Sequence, residues 1–303
     1  MIINNNKIAV IFSGQNYQSF DLINEYIRKY SLIKKMFKKT SNIINYNLLK
    51  LLKQDKKKII NNFQYIQPIL LTISFSMYKI WQQKKNHYMP KYMVGHSLGE
   101  YIALVCSKSI SFIDGVKLVY QRGILMKKHT KKIKCGMKVI IGLKKNIIKR
   151  ICEKSKKKQV LSIAAINSKK QIVIAGHMEA INRAVLLCKK YKVKCILNIN
   201  IKIASHCSLM NKASEEFKKF LYKIKLNKPK CIILHNVNAK KTKNYINIRK
   251  LLLEQFYKPV MWYEIIKKIK LKGIKNFLEI GPKKILTNIN KDINNINSYY
   301  LKI

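Results

Sequence analysis

Residues 94–100 hold a serine between two glycines, a spacing that suits nucleophilic chemistry. Gly95, Ser97 and Gly99 fit the G-x-S-x-G pattern, with a predicted strand before them at 90–94 and a predicted helix after them at 98–107. A strand that enters a helix through two glycines makes a sharp turn and exposes the serine hydroxyl. The helix N-terminus favours negative charge developing there. We therefore predict a nucleophile, although an ordinary glycine-rich turn with a capping serine shares the pattern.

A serine hydroxyl needs a general base, and the six histidines of the chain are the candidates. His206 follows a predicted insertion and opens a helix, where a loop can return to the mouth of the sheet. His235, at the end of a predicted strand, is the second candidate, whereas His96 adjoins Ser97 at a tight turn and points away. None of the carboxylates between Ser97 and His206 is an obvious third triad member: Glu100, Asp114, Glu153 and Glu179. The sequence favours a dyad oriented by a neutral acceptor.

Apolar periodicity predicts an α/β fold with a mostly parallel sheet around these residues. Residues 8–12 predict a first buried strand, and a strong helix is predicted from Pro68. After residue 203 the predicted elements are helices at 209–224, 246–256 and 259–271 and strands at 231–236 and 276–280.

Residues 137–199 predict the order β-α-β-β-α-β, which is the ferredoxin-like unit. We therefore predict a hydrolase-like α/β core formed by residues 1–130 and 203–303. An inserted ferredoxin-like α+β subdomain is predicted to occupy residues 131–202.

The charge balance is extreme, with 63 Lys and Arg against 13 Asp and Glu and a formal net charge of +50. Such a field attracts polyanions. The lysines are scattered, and Lys, Asn and Ile are overused together, which favours compositional drift as the main cause. Zinc-finger spacing and aromatic RNA-binding motifs are absent from the sequence, so we expect no specific nucleic-acid partner.

Cysteine usage and hydropathy favour a cytoplasmic protein. Seven cysteines form no C-x-x-C pair, as expected for reduced thiols. The N-terminal residues do not fit a secretory signal. The longest uncharged span, 59–78, contains several polar residues and predicts a buried helix. We therefore expect no membrane association.

Beyond these patterns, the chain resembles the malonyl-CoA:acyl carrier protein transacylases of bacterial type II fatty acid synthesis. The resemblance runs from about residue 8 to residue 289, and its ordered matches are far more specific than any single motif. The matching segments are 67–68, 95–101, 121–123 with Met126, 167–168, 171–176, 205–207, 209–210, 257–260 with Trp262, 279–282 and 286–287.

The resemblance implies a ping-pong malonyl transfer and a role for each site residue. Ser97 would carry the malonyl group, with His206 as its base. Arg122 would bind the malonyl carboxylate in a bidentate fork. The backbone amides of Gln15 and Leu98 would form the oxyanion hole.

The resemblance also implies that Gln255 orients His206 through its backbone carbonyl. The expected partners are malonyl-CoA and the acidic acyl carrier protein. Malonyl-CoA is a substrate, so no cofactor and no metal are expected, and we expect a monomer.

Two departures from the family pattern affect loops. Asn16 and Tyr17 stand where the family usually has glycine and serine, and Lys283 replaces a usual glycine. The alternative function is that of a serine hydrolase or thioesterase on a related fold. It predicts a carboxylate partner for His206 and gives no reason for Arg122.

Overall fold

The computed structural model describes residues 8–14, 20–54, 62–86, 88–199, 203–242 and 244–303. Two four-stranded sheets form its framework, one parallel and one antiparallel. The mixed α/β class predicted from the sequence is confirmed. The boundaries at 130/131 and 202/203 stay a prediction, and residues 200–202 lie outside the described residues.

The parallel sheet has the strand order β2-β1-β7-β8. Its strands are short and mostly buried, as expected for strands covered on both faces. The strands are β1 Ile8–Phe12, β2 Tyr92–Gly95, β7 Asn276–Glu279 and β8 Asn297–Tyr300. Phe12 is in register with Gly95 and Ile11 with Glu279, so the carboxyl ends of β1, β2 and β7 meet at one edge.

Helices pack around the parallel sheet, and most carry an apolar face. Those before the antiparallel sheet are α1 Phe20–Lys29, α2 Ser31–Ile44, α3 Leu48–Gln54, α4 Phe63–Lys84, α5 Leu98–Cys106 and α6 Phe112–Thr130. Those after it are the 3₁₀ turn Ser208–Met210, α9 Asn211–Leu221, α10 Tyr245–Glu254, α11 Trp262–Leu271 and α12 Leu286–Asn290.

The long helix α4 is buried nearly all round and forms the centre of the larger core. It begins at Phe63, so the prediction that Pro68 starts the helix was wrong. Pro68 lies in the second turn, where its missing N–H removes only one hydrogen bond.

The antiparallel sheet has the order β4-β5-β3-β6 and is covered by two helices. These elements are β3 Cys135–Ile141, α7 Lys145–Lys156, β4 Leu161–Ile166, β5 Gln171–His177, α8 Met178–Lys190 and β6 Cys195–Ile199. Each neighbouring pair is antiparallel, which matches the predicted ferredoxin-like order.

Residues 231–236 do not form the predicted strand. Ile232 makes a single parallel bridge to Tyr92 at the edge of β2. Beyond it, the His235 N–H donates to Lys240 and the Asn236 N–H donates to Glu100. These competing acceptors explain why an apolar run leaves the sheet.

No helix in the described part of the chain is long and apolar enough to cross a membrane. All seven cysteines are free thiols.

Candidate active site

Ser97 occupies a strained turn between β2 and α5, at the carboxyl edge of the parallel sheet. Its φ of 54° and ψ of −112° lie outside the backbone regions that residues other than glycine ordinarily adopt. Two glycines permit this turn. A Cβ at Gly95 would lie 1.9 Å from the carbonyl carbon of Gly99, and one at Gly99 would lie 2.0 Å from the Phe12 oxygen. Only glycine fits at either position.

The backbone around Ser97 is fixed by a side chain from the distant segment 231–236. Asn236 accepts the Ser97 N–H through Oδ1 at 2.7 Å and donates from Nδ2 to the Gly95 carbonyl at 2.6 Å. This pairing occupies the Ser97 N–H. Leu98, the first residue of α5, borders the cavity, and the early N–H groups of a helix lack intrahelical acceptors. The Leu98 N–H therefore has no acceptor within its own helix.

His206 stands next to the serine. Its Nε2 lies 2.8 Å from Ser97 Oγ, and its Nδ1 lies 2.6 Å from the backbone oxygen of Gln255. A carbonyl oxygen only accepts, so Nδ1 carries the proton and Nε2 presents its lone pair to the serine. Gln255 directly follows α10, and the last carbonyls of a helix lack intrahelical partners.

The environment of His206 keeps its ring neutral. Burial, reinforced by the positive charge of Arg122, lowers the pKa of His206 to about 3. Burial also lowers the pKa of His96 to about 4. Charged imidazolium is disfavoured because the low-dielectric interior solvates it poorly. A neutral ring is the form that can accept a proton.

Arg122 projects from α6 into the same cluster. Its Nη2 lies 3.2 Å from Ser97 Oγ and 3.3 Å from Gln255 Oε1, and its Nη1 lies 2.9 Å from Gln67 Oε1. The side chain is 2% exposed. The guanidinium carbon lies 5.4 Å from the ring centre of Tyr101 and 5.5 Å from that of Phe256. Burial lowers the pKa of Arg122, which nonetheless remains a cation.

A cavity of about 430 Å³ opens beside these groups, within the usual size of small-molecule sites. Ser97, Arg122 and His206 border it. Strands β3, β5 and β6 supply one largely apolar wall, and residues 283–289 supply another. The site therefore lies between the two sheets.

The turn that forms the second wall is held by a buried carboxylate. Both oxygens of Glu279 accept backbone N–H groups from Ile285, Leu286 and Thr287 at 2.8–3.1 Å. Lys283 is exposed at this wall and lies outside the positive-φ residues of the described chain. The backbone at Lys283 is therefore not left-handed, and a lysine fits there without the strain that a left-handed position would cause.

The structure brings together Ser97, His206, Arg122 and Gln255, four of the predicted site residues, and places Leu98 beside them. Gln15 lies outside the described residues, as do Asn16 and Tyr17. His235, the second candidate base, instead places Nδ1 2.7 Å from Glu100. His96 borders the cavity, with Nε2 3.0 Å from Asn167 Oδ1.

Sequence reasoning gave no role to Gln67, Asn236 or Glu100. Gln67 and Glu100 fall inside segments that carry the family resemblance, which was the one available signal. For Asn236 the sequence held no such signal, because its partner Ser97 is 139 residues away. Within the described residues, no cluster of three or more His, Cys, Asp or Glu residues suits a metal ion.

The sequence of this chain matches a known family of enzymes. Residues 20–297 match the family model described as the acyl transferase domain. A transacylase from Buchnera aphidicola of Schizaphis graminum is 42% identical over 96% of this chain and 94% of its own length. This chain belongs to the malonyl CoA-acyl carrier protein transacylase family.

Solved structures show the same fold. An acyl carrier protein S-malonyltransferase from Vibrio cholerae has a TM-score of 0.92 and 32% identity, with 97% of this chain and 96% of that chain covered. A malonyl-transacylase solved in complex with a type II polyketide acyl carrier protein has a TM-score of 0.93 and 33% identity, with the same coverage.

Proposed function

We propose that this chain transfers malonyl from malonyl-CoA to the phosphopantetheine thiol of acyl carrier protein, through a malonyl ester on Ser97. One observation carries the proposal: Ser97 Oγ lies 2.8 Å from a histidine nitrogen and 3.2 Å from a buried guanidinium. A base and a carboxylate-binding group thus meet at one hydroxyl. Family membership supports the same reaction.

In the first half-reaction, Ser97 Oγ attacks the thioester carbonyl as its proton passes to His206 Nε2. The Nδ1–H donated to Gln255 stabilises the imidazolium that forms. The oxyanion accepts a hydrogen bond from the Leu98 N–H, and the family resemblance implies that the Gln15 N–H is a second donor. When the tetrahedral intermediate collapses, the C–S bond breaks and His206 protonates the departing CoA thiolate.

In the second half-reaction the carrier-protein thiol enters the emptied cavity. His206 Nε2 takes the thiol proton, and the sulfur attacks the ester carbonyl. Collapse breaks the bond to Ser97 Oγ, which recovers its proton from His206. Malonyl has then moved from one thioester to another without net hydrolysis.

The selection of malonyl rests on Arg122. A guanidinium matches a carboxylate in geometry and charge. An acetyl group would leave this buried cation without a counter-ion, which carries a free-energy penalty.

The remaining parts of the proposal follow from the same chemistry. The chain and its two substrates supply every group in this reaction, so we propose that it needs no cofactor. Free thiols support a reducing, cytoplasmic setting. We also propose that the chain acts as a monomer, and that residues 131–202 form an inserted subdomain whose strands wall the cavity.

Mass spectrometry of the intact chain after incubation with malonyl-CoA tests the reaction. We expect a stable malonyl adduct on wild type, its loss when holo carrier protein is added, and none on Ser97→Ala. Steady release of free malonate without an adduct would instead indicate a hydrolase. For a hydrolase, the Nδ1 partner of His206 would ordinarily be a carboxylate, whereas here it is a carbonyl.

A further inference from the structure

Glu100 is a buried carboxylate one turn beyond Ser97 on α5, and the reaction above gives it no role. The residue is 1% exposed. Its Oε2 accepts the Asn236 backbone N–H at 3.2 Å and lies 2.6 Å from Gln255 Nε2. Its Oε1 lies 2.7 Å from His235 Nδ1. A carboxylate this deeply buried is retained only where its neighbours donate to it.

The contacts of Glu100 dictate how the Gln255 side chain is turned. A primary amide presents an accepting oxygen on one side and a donating NH2 group on the other. Because the carboxylate accepts, the NH2 group must face Glu100, and it also donates to the Ser97 carbonyl at 3.1 Å. The oxygen of the amide is therefore turned the other way, toward Arg122.

Arg122 is consequently held between two amide oxygens, Gln67 Oε1 on Nη1 and Gln255 Oε1 on Nη2. Among the described residues, no carboxylate forms an ion pair with Arg122. Neutral acceptors orient a guanidinium without neutralising it. A carboxylate in direct contact would compete with the carboxylate of a substrate.

We propose that Glu100 is a positioning residue for substrate selection. It holds the Gln255 amide with its oxygen toward Arg122, and that oxygen orients the guanidinium for the malonyl carboxylate. Placing the protein carboxylate one amide away leaves the cation open to the substrate. This role rests on the proposed malonyl transfer and deepens it.

Two substitutions separate positioning from charge. Glu100→Gln keeps the volume, but its own amide can face Gln255 with either end. Glu100→Asp keeps a carboxylate but is one methylene shorter and cannot reach Gln255 at the same distance. The measured quantity is the malonyl preference, defined as kcat/KM for malonyl-CoA divided by kcat/KM for acetyl-CoA in loading of Ser97.

We expect both variants to lose at least about 10-fold of the malonyl preference, the scale of one hydrogen bond to a charged group. The loss should lie mainly in KM for malonyl-CoA. In a Gln255→Leu background, Glu100→Gln should cause no further loss of preference, because the side chain through which it acts is already gone. Glu216→Gln, which removes a half-buried carboxylate paired with Lys128 and His129, is the matched control and should keep the preference.

A purely structural role would lower loading by both acyl groups equally and leave the preference unchanged. A purely electrostatic role would raise the preference in Glu100→Gln, because the removed charge repels the malonyl carboxylate, and would keep it in Glu100→Asp. Either result overturns the proposal. If Glu100→Gln does not fold, Glu100→Asp alone still tests the proposal, because positioning predicts a lost preference in this variant and both alternatives predict an unchanged one.

Wild type is the reference that separates the two proposals. If wild type forms no malonyl ester, the proposed function fails and this role fails with it. If wild type loads malonyl while the variants keep the preference, only the role of Glu100 is overturned.

Discussion

Arg122 shows how much of this site depends on single side chains. It is a buried cation whose hydrogen-bond partners are neutral oxygens, and it lies within hydrogen-bond distance of the nucleophile. Such a group is costly to keep in the interior unless a ligand supplies the missing anion. The need for that anion is the physical basis of the selectivity we expect.

Replacing Arg122 with Ala should lower kcat/KM for malonyl-CoA by about 100-fold or more, since the carboxylate loses a charged, forked partner. Loading from acetyl-CoA should change far less. Arg150→Ala, on the exposed side of α7, serves as the control. Equal losses with both acyl groups would contradict the assigned role of Arg122.

The lowered pKa of His206 makes a second prediction at the residue scale. Because the base works only when neutral, and its folded-state pKa lies near 3, acidification should not protonate it until well below the ordinary histidine range. Single-turnover acylation of Ser97 should therefore stay nearly flat between about pH 5 and pH 8. A rate that falls with a midpoint near the ordinary histidine pKa would contradict the lowered pKa of His206.

At the scale of elements, the spacing between α4 and α6 sets the position of Arg122. Gly123 follows Arg122, and a Cβ there would lie 2.3 Å from the Phe63 backbone oxygen of α4. The two helices therefore approach through a glycine, and the same approach places Arg122 against Gln67. Any side chain at position 123 must separate them.

Gly123→Ala should destabilise the fold by about 1–3 kcal/mol, the usual range for overpacking against a rigid neighbour. It should also reduce the malonyl preference. Gly115→Ala on the same helix is the matched control, because its Cβ would meet a Val105 side-chain methyl and not backbone. Thermal unfolding and acyl loading of both variants measure the difference. Similar behaviour of the two variants would argue against the helix spacing as the cause.

At the scale of the whole molecule, basic residues outnumber acidic ones by 63 to 13. The formal charge is +50, and two of the few carboxylates, Glu100 and Glu279, are buried and held by backbone or side-chain donors. The surface field thus attracts anions over a distance set by ionic strength. Whatever the origin of the lysines, both proposed substrates are anionic and should respond to this field.

Raising ionic strength from about 0.05 M to 0.5 M should lower kcat/KM for carrier protein by about 10-fold or more, because steering is screened. Pantetheine, an uncharged acceptor thiol, is the comparison and should change by less than about 2-fold. Malonyl transfer to each acceptor from the preformed malonyl-enzyme measures this. Salt sensitivity that is equal for both acceptors would place the effect in the site and not in the encounter.

Local sequence determined a large part of this protein. Short apolar runs and helical periodicity predicted the α/β class and the β-α-β-β-α-β order, because burial selects apolar residues in these patterns. The glycines around Ser97 predicted the elbow, since that backbone excludes a Cβ. Membership of the transacylase family was likewise predicted from ordered motifs. The strand β8 was not predicted, because its polar residues do not form the apolar run that indicates a buried strand.

Apart from the group at Ser97 that the family resemblance implied, only the tertiary structure decided which polar side chains meet. His206, Asn236 and Gln255 reach Ser97 from 109, 139 and 158 residues away, and nothing in their local sequence specifies those distances. In the folded chain His235, a candidate base from the sequence, pairs with Glu100 instead. The apolar run at 231–236 likewise does not form the strand that its sequence predicts. Hydrogen-bond pairing in a buried site depends on directions and separations that exist only after the chain has folded.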